Sequence, residues 1–137
     1  MASIRVLVAE DFLPFRRLIC ATLGKKPDVE IVAEVSDGQE AVRKAEELKL
    51  DLILLDIGLP TLNGIDAARQ ICNLAPDSKI IFVTEESSED FVQEALSTGA
   101  LGYVLKMTMN RSLLAAVSAV LEGKQFVSKN LTHPGSV

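Results

Sequence analysis

A doubly wound α/β fold, one parallel sheet with helices on both faces, is what this 137-residue sequence predicts. Three observations carry the prediction. Short apolar runs alternate five times with stretches whose apolar residues recur every three or four positions. The runs are apolar on both faces, which in alternation with helices implies a parallel sheet covered on both sides. Five such units fill the length expected of a single domain.

IRVLVA at 4–9 is a β-rich run that ends at Glu10-Asp11. Phe15, Leu18, Ile19, Thr22 and Leu23 then recur at helical spacing, with Pro14 suited to the first turn and Gly24 to the stop. VEIVAEV at 29–35 is the second strand, and Ala41, Val42, Ala45 and Leu48 share one face of the next helix. LILLD at 52–56 is the third strand; Ile65, Ala68 and Ile71-Cys72 mark a third helix entered through Asn63-Gly64. KIIFVT at 79–84 is the fourth strand. The helix after it carries Phe91, Val92, Ala95 and Leu96, with a loose capping box over Ser87 to Asp90 and a stop at Gly99. GYVLK at 102–106 is the fifth strand, and the last helix presents Leu113, Leu114, Val117, Val120 and Leu121 before Gly123.

This order fits a flavodoxin-like, five-stranded sheet of strand order 2-1-3-4-5 with five helices. One domain over residues 1–123 is expected. From Lys124 the helical pattern fades into QFVSKNLTHPGSV, a tail or a linker toward a further domain. His133 lies in that stretch and reads as a tail residue rather than a ligand.

A hydrophobic share of 48%, drawn mostly from Ala, Val, Ile and Leu, supports a core that buries roughly two-thirds of the unfolded surface. The 14 basic and 19 acidic residues leave a net charge of −5, which argues against a sequence-independent grip on nucleic-acid phosphates. MASIRVLVAED at the N-terminus holds no apolar stretch long enough for a signal peptide or a membrane span. Cys20 and Cys72, each within a helical pattern, are then buried thiols in a reducing compartment rather than a disulfide. A cytoplasmic location, away from any membrane, is the expectation.

In a doubly wound sheet the ligand site lies beyond the carboxyl ends of the strands, at the switch point between the first and third. Glu10 and Asp11 end the first strand there and Asp56 ends the third, so the topology gathers three carboxylates in one crevice. Carboxylates that close repel by several kcal/mol at an effective dielectric of about 20, and a cation must offset them. Clustered hard oxygens suit Mg²⁺, which keeps some waters and also accepts a phosphate. Lys106 at the end of the fifth strand adds an ammonium, and Thr84 at the end of the fourth adds a hydroxyl. An aspartate so placed can attack phosphorus and form an aspartyl phosphate, a step that asks mostly for positioning and charge neutralisation. Asp56 is the expected nucleophile, held on a buried strand that acts as a rigid post.

VLVAED at 6–11, LLDIGLPTLNG at 54–64, IIFVT at 80–84 and GALGYVLK at 99–106 stand at the order and spacing of a known family. Together they resemble the receiver domain of bacterial two-component response regulators, over about residues 3–123. LDIGLP…NG and EGKQFVS are further similar to receivers of the NarL/FixJ type, which precede a LuxR-type helix-turn-helix domain. The resemblance implies that Asp56 accepts a phosphoryl group from a sensor histidine kinase. It implies that Asp11 and Asp56 bind Mg²⁺ directly, Glu10 through water, and Gly58 through its backbone carbonyl. Lys106 would pair with the phosphoryl oxygens and Thr84 would swing toward them. Tyr103 would rotate inward behind Thr84, switching the face of helix 4, strand 5 and helix 5 that controls an output domain and, through it, transcription. On this reading the chain is not an enzyme but a switch that promotes its own aspartyl phosphorylation and dephosphorylation. DNA contact would belong to an output domain, and exposed faces of helix 1 or helix 5 could serve a homodimer.

Two positions depart from the family pattern. Glu85 stands where a small residue usually borders the phosphoryl path, and reads either as a gate or as a side chain turned to solvent. Met107 stands where a proline after a cis bond is common, so no cis peptide is expected. Taken singly the site residues have plainer readings: Glu10-Asp11 a solvated loop, Asp56 a helix cap, Lys106 a surface charge. Tyr103 alone is an ordinary half-buried aromatic with a wet hydroxyl. A phosphorylation-independent interaction module is the main alternative function. A phosphatase with an aspartyl nucleophile is opposed by Gly58, since such enzymes place a second acid two residues after the nucleophile. A flavin carrier is opposed by the lack of a Ser/Thr-rich phosphate loop after the first strand.

Overall fold

The apolar runs assemble into a parallel sheet in a computed structural model that describes residues 3–128. Its strands are β1 (Ile4–Ala9), β2 (Val29–Val35), β3 (Leu52–Leu55), β4 (Lys79–Thr84), β5 (Gly102–Leu105) and β6 (Phe126–Val127), in the order β2-β1-β3-β4-β5-β6. The helices are α1 (Leu13–Leu23), α2 (Gly38–Glu47), α3 (Gly64–Leu74), α4 (Glu89–Leu96) and α5 (Met109–Leu121), and a short 3₁₀ turn spans Lys106–Thr108.

Two apolar layers explain why the strand sequences do not alternate. Leu7, Ala9, Ile53 and Leu55 face one core, which α2, α3 and α4 close with Ala41, Ala45, Ile65, Ile71 and Val92. Val6, Val8, Leu52 and Leu54 face the other, closed by Ile19 and Leu23 of α1 and by Leu113, Val117 and Val120 of α5. Every residue of β3 is buried. β2 at the sheet edge carries the exposed Glu30 and Glu34, charges that discourage pairing with another chain.

The sheet has six strands where the sequence predicts five. Phe126 and Val127 pair in parallel with Gly102 and Tyr103, and the Phe126 N–H donates to Leu101 O at 2.9 Å. Without β6 the outer edge of β5 would leave main-chain donors and acceptors unpaired beside the core, and two half-buried apolar residues cover it. The stretch expected to fade from Lys124 is therefore part of the sheet up to Ser128, while His133 and the rest of that tail lie outside the described residues. The cap of α4 also differs by one position: Ser88, not Ser87, receives the Phe91 N–H on its side chain. Asn63 caps α3 by accepting from Asp66 N. Among the described residues no peptide bond is cis, and no helix is long and apolar enough to cross a membrane.

Cys20 on α1 and Cys72 on α3 are free thiols, both half-buried. Burial pushes the Cys20 thiol up to about 11, with the Glu34 carboxylate adding to the rise and Arg16 opposing it. The neutral thiol is thus favoured in the folded chain, and its share of stability is expected to fade as pH climbs from the ordinary value of 9.0 toward about 11. Alkylation of Cys20 by iodoacetamide at pH 7.5, followed by mass, should run about tenfold or more slower than for a free cysteine. Alkylation at the free-cysteine rate would show that the side chain is neither buried nor paired.

Candidate functional site

Main-chain ladders set the acids before any side chain acts. Glu10 N donates to Val35 O at 3.0 Å, and Asp56 N donates to Ala9 O at 3.1 Å, so each acid extends its strand by one residue beyond the regular sheet. The loop after Asp56 is tied down by Gly64 N to Ile57 O at 2.8 Å and by Gly38 N to Pro60 O at 3.2 Å. Within it Thr61 takes φ 69°, an uncommon and strained value for a β-branched residue. Lys106 opens the 3₁₀ turn directly after β5, one residue past the strand it was expected to end.

These placements converge on a cleft of about 290 Å³ lined by every site residue selected from the sequence except Tyr103. Lys106 is its electrostatic centre. Its Nζ lies 2.6 Å from Glu10 Oε1, donates to Asp56 Oδ2 at 3.1 Å and stands 4.7 Å above the Phe15 ring. Glu10 is fully buried, and its Oε2 accepts from Phe12 N at 3.0 Å. Asp56 is 9% exposed, and its Oδ1 accepts from Gly58 N at 3.4 Å. Asp11, Gly58 and Glu85 line the exposed mouth.

Burial lifts the Glu10 carboxyl above its ordinary range, and the Lys106 ammonium opposes the lift. Burial alone would lower Lys106, but contact with Glu10 and the charge of Asp56 outweigh it and leave the amine raised. Lys106 is therefore a firmly charged ammonium at neutral pH. It does not balance the site. Glu10, Asp11 and Asp56 place carboxylate oxygens within 4.8 Å of one another, three negative charges against one positive. Glu10 Oε1 is, besides, a buried oxygen without a well-aligned hydrogen bond. An all-oxygen cluster with excess negative charge fits a small hard cation such as Mg²⁺.

Thr84 is buried, and its hydroxyl oxygen accepts from Glu86 N at 3.3 Å. Tyr103 lies behind the cleft, fully buried rather than half-buried, with its ring 6.3 Å from that of Phe82. Its hydroxyl donates to Glu86 O at 2.7 Å instead of reaching water. Burial, reinforced by the charges of Glu86 and Asp56, holds that phenol protonated well above its usual range. Glu86 thus joins Thr84 to Tyr103 through its own main chain. A larger cavity of about 480 Å³ lies at the opposite end of the sheet beside Arg5, Lys49 and Asp51, and none of the site residues lines it.

The family model of the response regulator receiver domain matches residues 6–118. The chain belongs to the response regulator receiver domain family. Among curated relatives, the receiver is 34% identical over 131 residues to the transcriptional regulatory protein DegU of Brevibacillus brevis, covering 96% of this chain and 56% of that protein. It is 39% identical over 121 residues to the transcriptional regulatory protein LiaR of Bacillus subtilis (strain 168), covering 88% and 57%. A LuxR-family two-component response regulator from Aurantimonas sp. SI85-9A1 superposes with a TM-score of 0.90 at 28% identity, covering 95% of this chain and 93% of that one. These matches bear out the resemblance to LuxR/NarL-type receivers. The receiver spans little more than half the length of the curated relatives it matches.

Three contributors escape a reading by motif. Phe15 was visible only as a core position of α1, yet its ring lies under the Lys106 ammonium. Glu86 acts through main-chain atoms, which any residue but proline would offer. Ser128 reaches β5 from a stretch that read as tail; the apolar pair Phe126-Val127 before it was the one local signal of a strand.

Proposed function

We propose that this receiver accepts a phosphoryl group on Asp56 from a histidine kinase in a Mg²⁺-dependent step and uses it to switch the α4–β5–α5 face. The observation that carries the reading is the Lys106 ammonium, held 2.6 Å from Glu10 and 3.1 Å from Asp56 at the floor of an acidic cleft. A carboxylate oxygen of Asp56 attacks phosphorus in line. The P–O bond forms as the P–N bond to the donor imidazole breaks, and the imidazole, already protonated on its other ring nitrogen, takes the bonding pair and leaves as neutral histidine. Lys106 is placed to follow the charge from the carboxylate to the phosphoryl oxygens. Mg²⁺, held by Asp11, Asp56 and the Gly58 carbonyl and through water by Glu10, would neutralise the remaining negative charge. Thr84 has its hydroxyl at the cleft wall. Its shift toward the new phosphate would alter the Glu86 main chain that Tyr103 grips, a two-state element biased by a local charge.

The receiver then acts as a switch and not as an enzyme with an outside substrate, since Gly58 offers no second acid after Asp56. The relatives named as a transcriptional regulatory protein and a LuxR-family response regulator support a reading in which this domain controls an output domain that regulates transcription. A cytoplasmic location and a homodimer through exposed faces of α1 or α5 belong to the same proposal. The test is intact mass after incubation with Mg²⁺ and acetyl phosphate. A labile phosphoryl adduct is expected on the parent and should be lost in Asp56→Asn and on chelation. No adduct on the parent would favour a phosphorylation-independent interaction module. Glu85 is exposed at the cleft mouth, and as a gate it should slow entry: Glu85→Ala is expected to phosphorylate about two- to fivefold faster, within what one removed charge does to the approach of an anion. An unchanged rate would dismiss the gate.

A further inference from the structure

Ser128 closes β6 in an unusual way. Its N–H donates to Tyr103 O at 2.9 Å, as a parallel ladder requires. The next β5 donor, Leu105 N–H, would then meet a main-chain carbonyl, but it donates at 2.9 Å to the Ser128 hydroxyl oxygen instead. The hydroxyl stands in for the carbonyl, so a side chain completes the ladder. Ser128 is buried, and so is the bond it accepts. On the other side of the same residue, the buried Thr108 hydroxyl donates to Leu105 O at 3.4 Å. Both main-chain groups of Leu105 are therefore held by side-chain hydroxyls, and Lys106 is the next residue. Ser128 in this way touches the stretch of β5 that carries Tyr103 at one end and leads into Lys106 at the other.

We infer that Ser128 is a positioning residue for the phosphoacceptor site, setting through Leu105 where the Lys106 ammonium sits over Glu10 and Asp56. By the reciprocity of coupled sites, loading of Asp56 changes in turn how firmly Ser128 is held. This rests on the phosphoacceptor reading of Asp56.

The test compares the parent with Ser128→Ala and Ser128→Thr for the rate of Asp56 phosphorylation by acetyl phosphate and Mg²⁺, followed by intact mass. The alanine variant, still folded by circular dichroism, is expected to be about tenfold slower because a small misplacement of a charge-neutralising group is costly. The threonine variant, which keeps the hydroxyl, is expected near the parent rate. A folded Ser128→Ala at the parent rate, or a threonine variant as slow as the alanine one, overturns the inference and leaves Asp56 as acceptor untouched. No adduct on the parent overturns the acceptor reading itself. If Ser128→Ala does not fold, the parent decides alone. Exchange of the Leu105 amide, read by NMR with and without Mg²⁺ and beryllium trifluoride, is expected to change about threefold or more, since a bond coupled to the site opens at a different cost. Unchanged exchange overturns the inference.

Discussion

Gly64→Ala is expected to cost about 3 kcal/mol or more of folding stability and to disable the phosphoacceptor in whatever fraction still folds. A β-carbon at residue 64 would stand 2.0 Å from Asp56 O, 2.8 Å from Asp56 C and 2.9 Å from Ile57 Cα. All three atoms are main chain, so no flexible side chain can swing away. The amide of Gly64 also donates to Ile57 O at 2.8 Å, which holds the two segments at that distance. Relief requires the Asp56 backbone to move, and it is the backbone that aims the carboxylate at Lys106. Gly58→Ala makes the contrast within the same loop, because a β-carbon there meets nothing within 4 Å. Urea unfolding of both variants decides it: a Gly64→Ala protein as stable as Gly58→Ala would mean that the loop yields without strain.

Lys106→Met is the second large effect, and its pH dependence is the diagnostic part. Removing one partner of a buried ionic cluster typically costs about 3–5 kcal/mol, because the remaining charges stay buried without compensation. Here the orphan is Glu10, fully buried, whose carboxyl is already raised by burial against the opposing ammonium. Without Lys106 that opposition is gone and the carboxyl rises further. A group raised in the folded state contributes its stability below its unfolded value, ordinarily 4.5, and loses it as pH rises through the folded value. The gap between parent and variant should therefore be widest at neutral pH and narrow toward pH 4.5, where Glu10 binds a proton. Urea melts at the two pH values measure it. A gap that does not depend on pH would mean that Lys106 stabilises through its ammonium over the Phe15 ring rather than by pairing with Glu10.

The two predictions differ in how visible their causes are in the chain itself. Lys106, Glu10 and Asp56 are chemically marked residues at strand ends, and a parallel sheet must bring those ends together; their meeting is legible before any coordinates. Gly64 is not. Asn63-Gly64 reads as a turn and a helix entry, which it is, with Asn63 capping α3. That glycine is needed because the Asp56 carbonyl presses against its Cα is a fact of distance between segments. Tyr103 divides in the same way. Its place in a buried strand follows from GYVL, but the partner of its hydroxyl is a main-chain carbonyl, and no residue type at position 86 could have announced it. Capping of α4 by Ser88 rather than Ser87 is a one-residue choice between two serines that composition cannot make.

What the sequence determined by itself was the doubly wound sheet and the identity of its reactive edge. Continuous apolar runs can be satisfied only between two helical layers, and acids, hydroxyl and amine at four strand ends can then lie only together. The tertiary structure alone decided the sixth strand and the fine placement of the site. A two-residue strand has almost no local preference; Phe126 and Val127 are extended because the open edge of β5 offers them hydrogen bonds, and Ser128 is buried because Leu105 needs an acceptor there. Such elements draw their stability from partners distant in the chain, and those partners exist only once the rest of the sheet has formed.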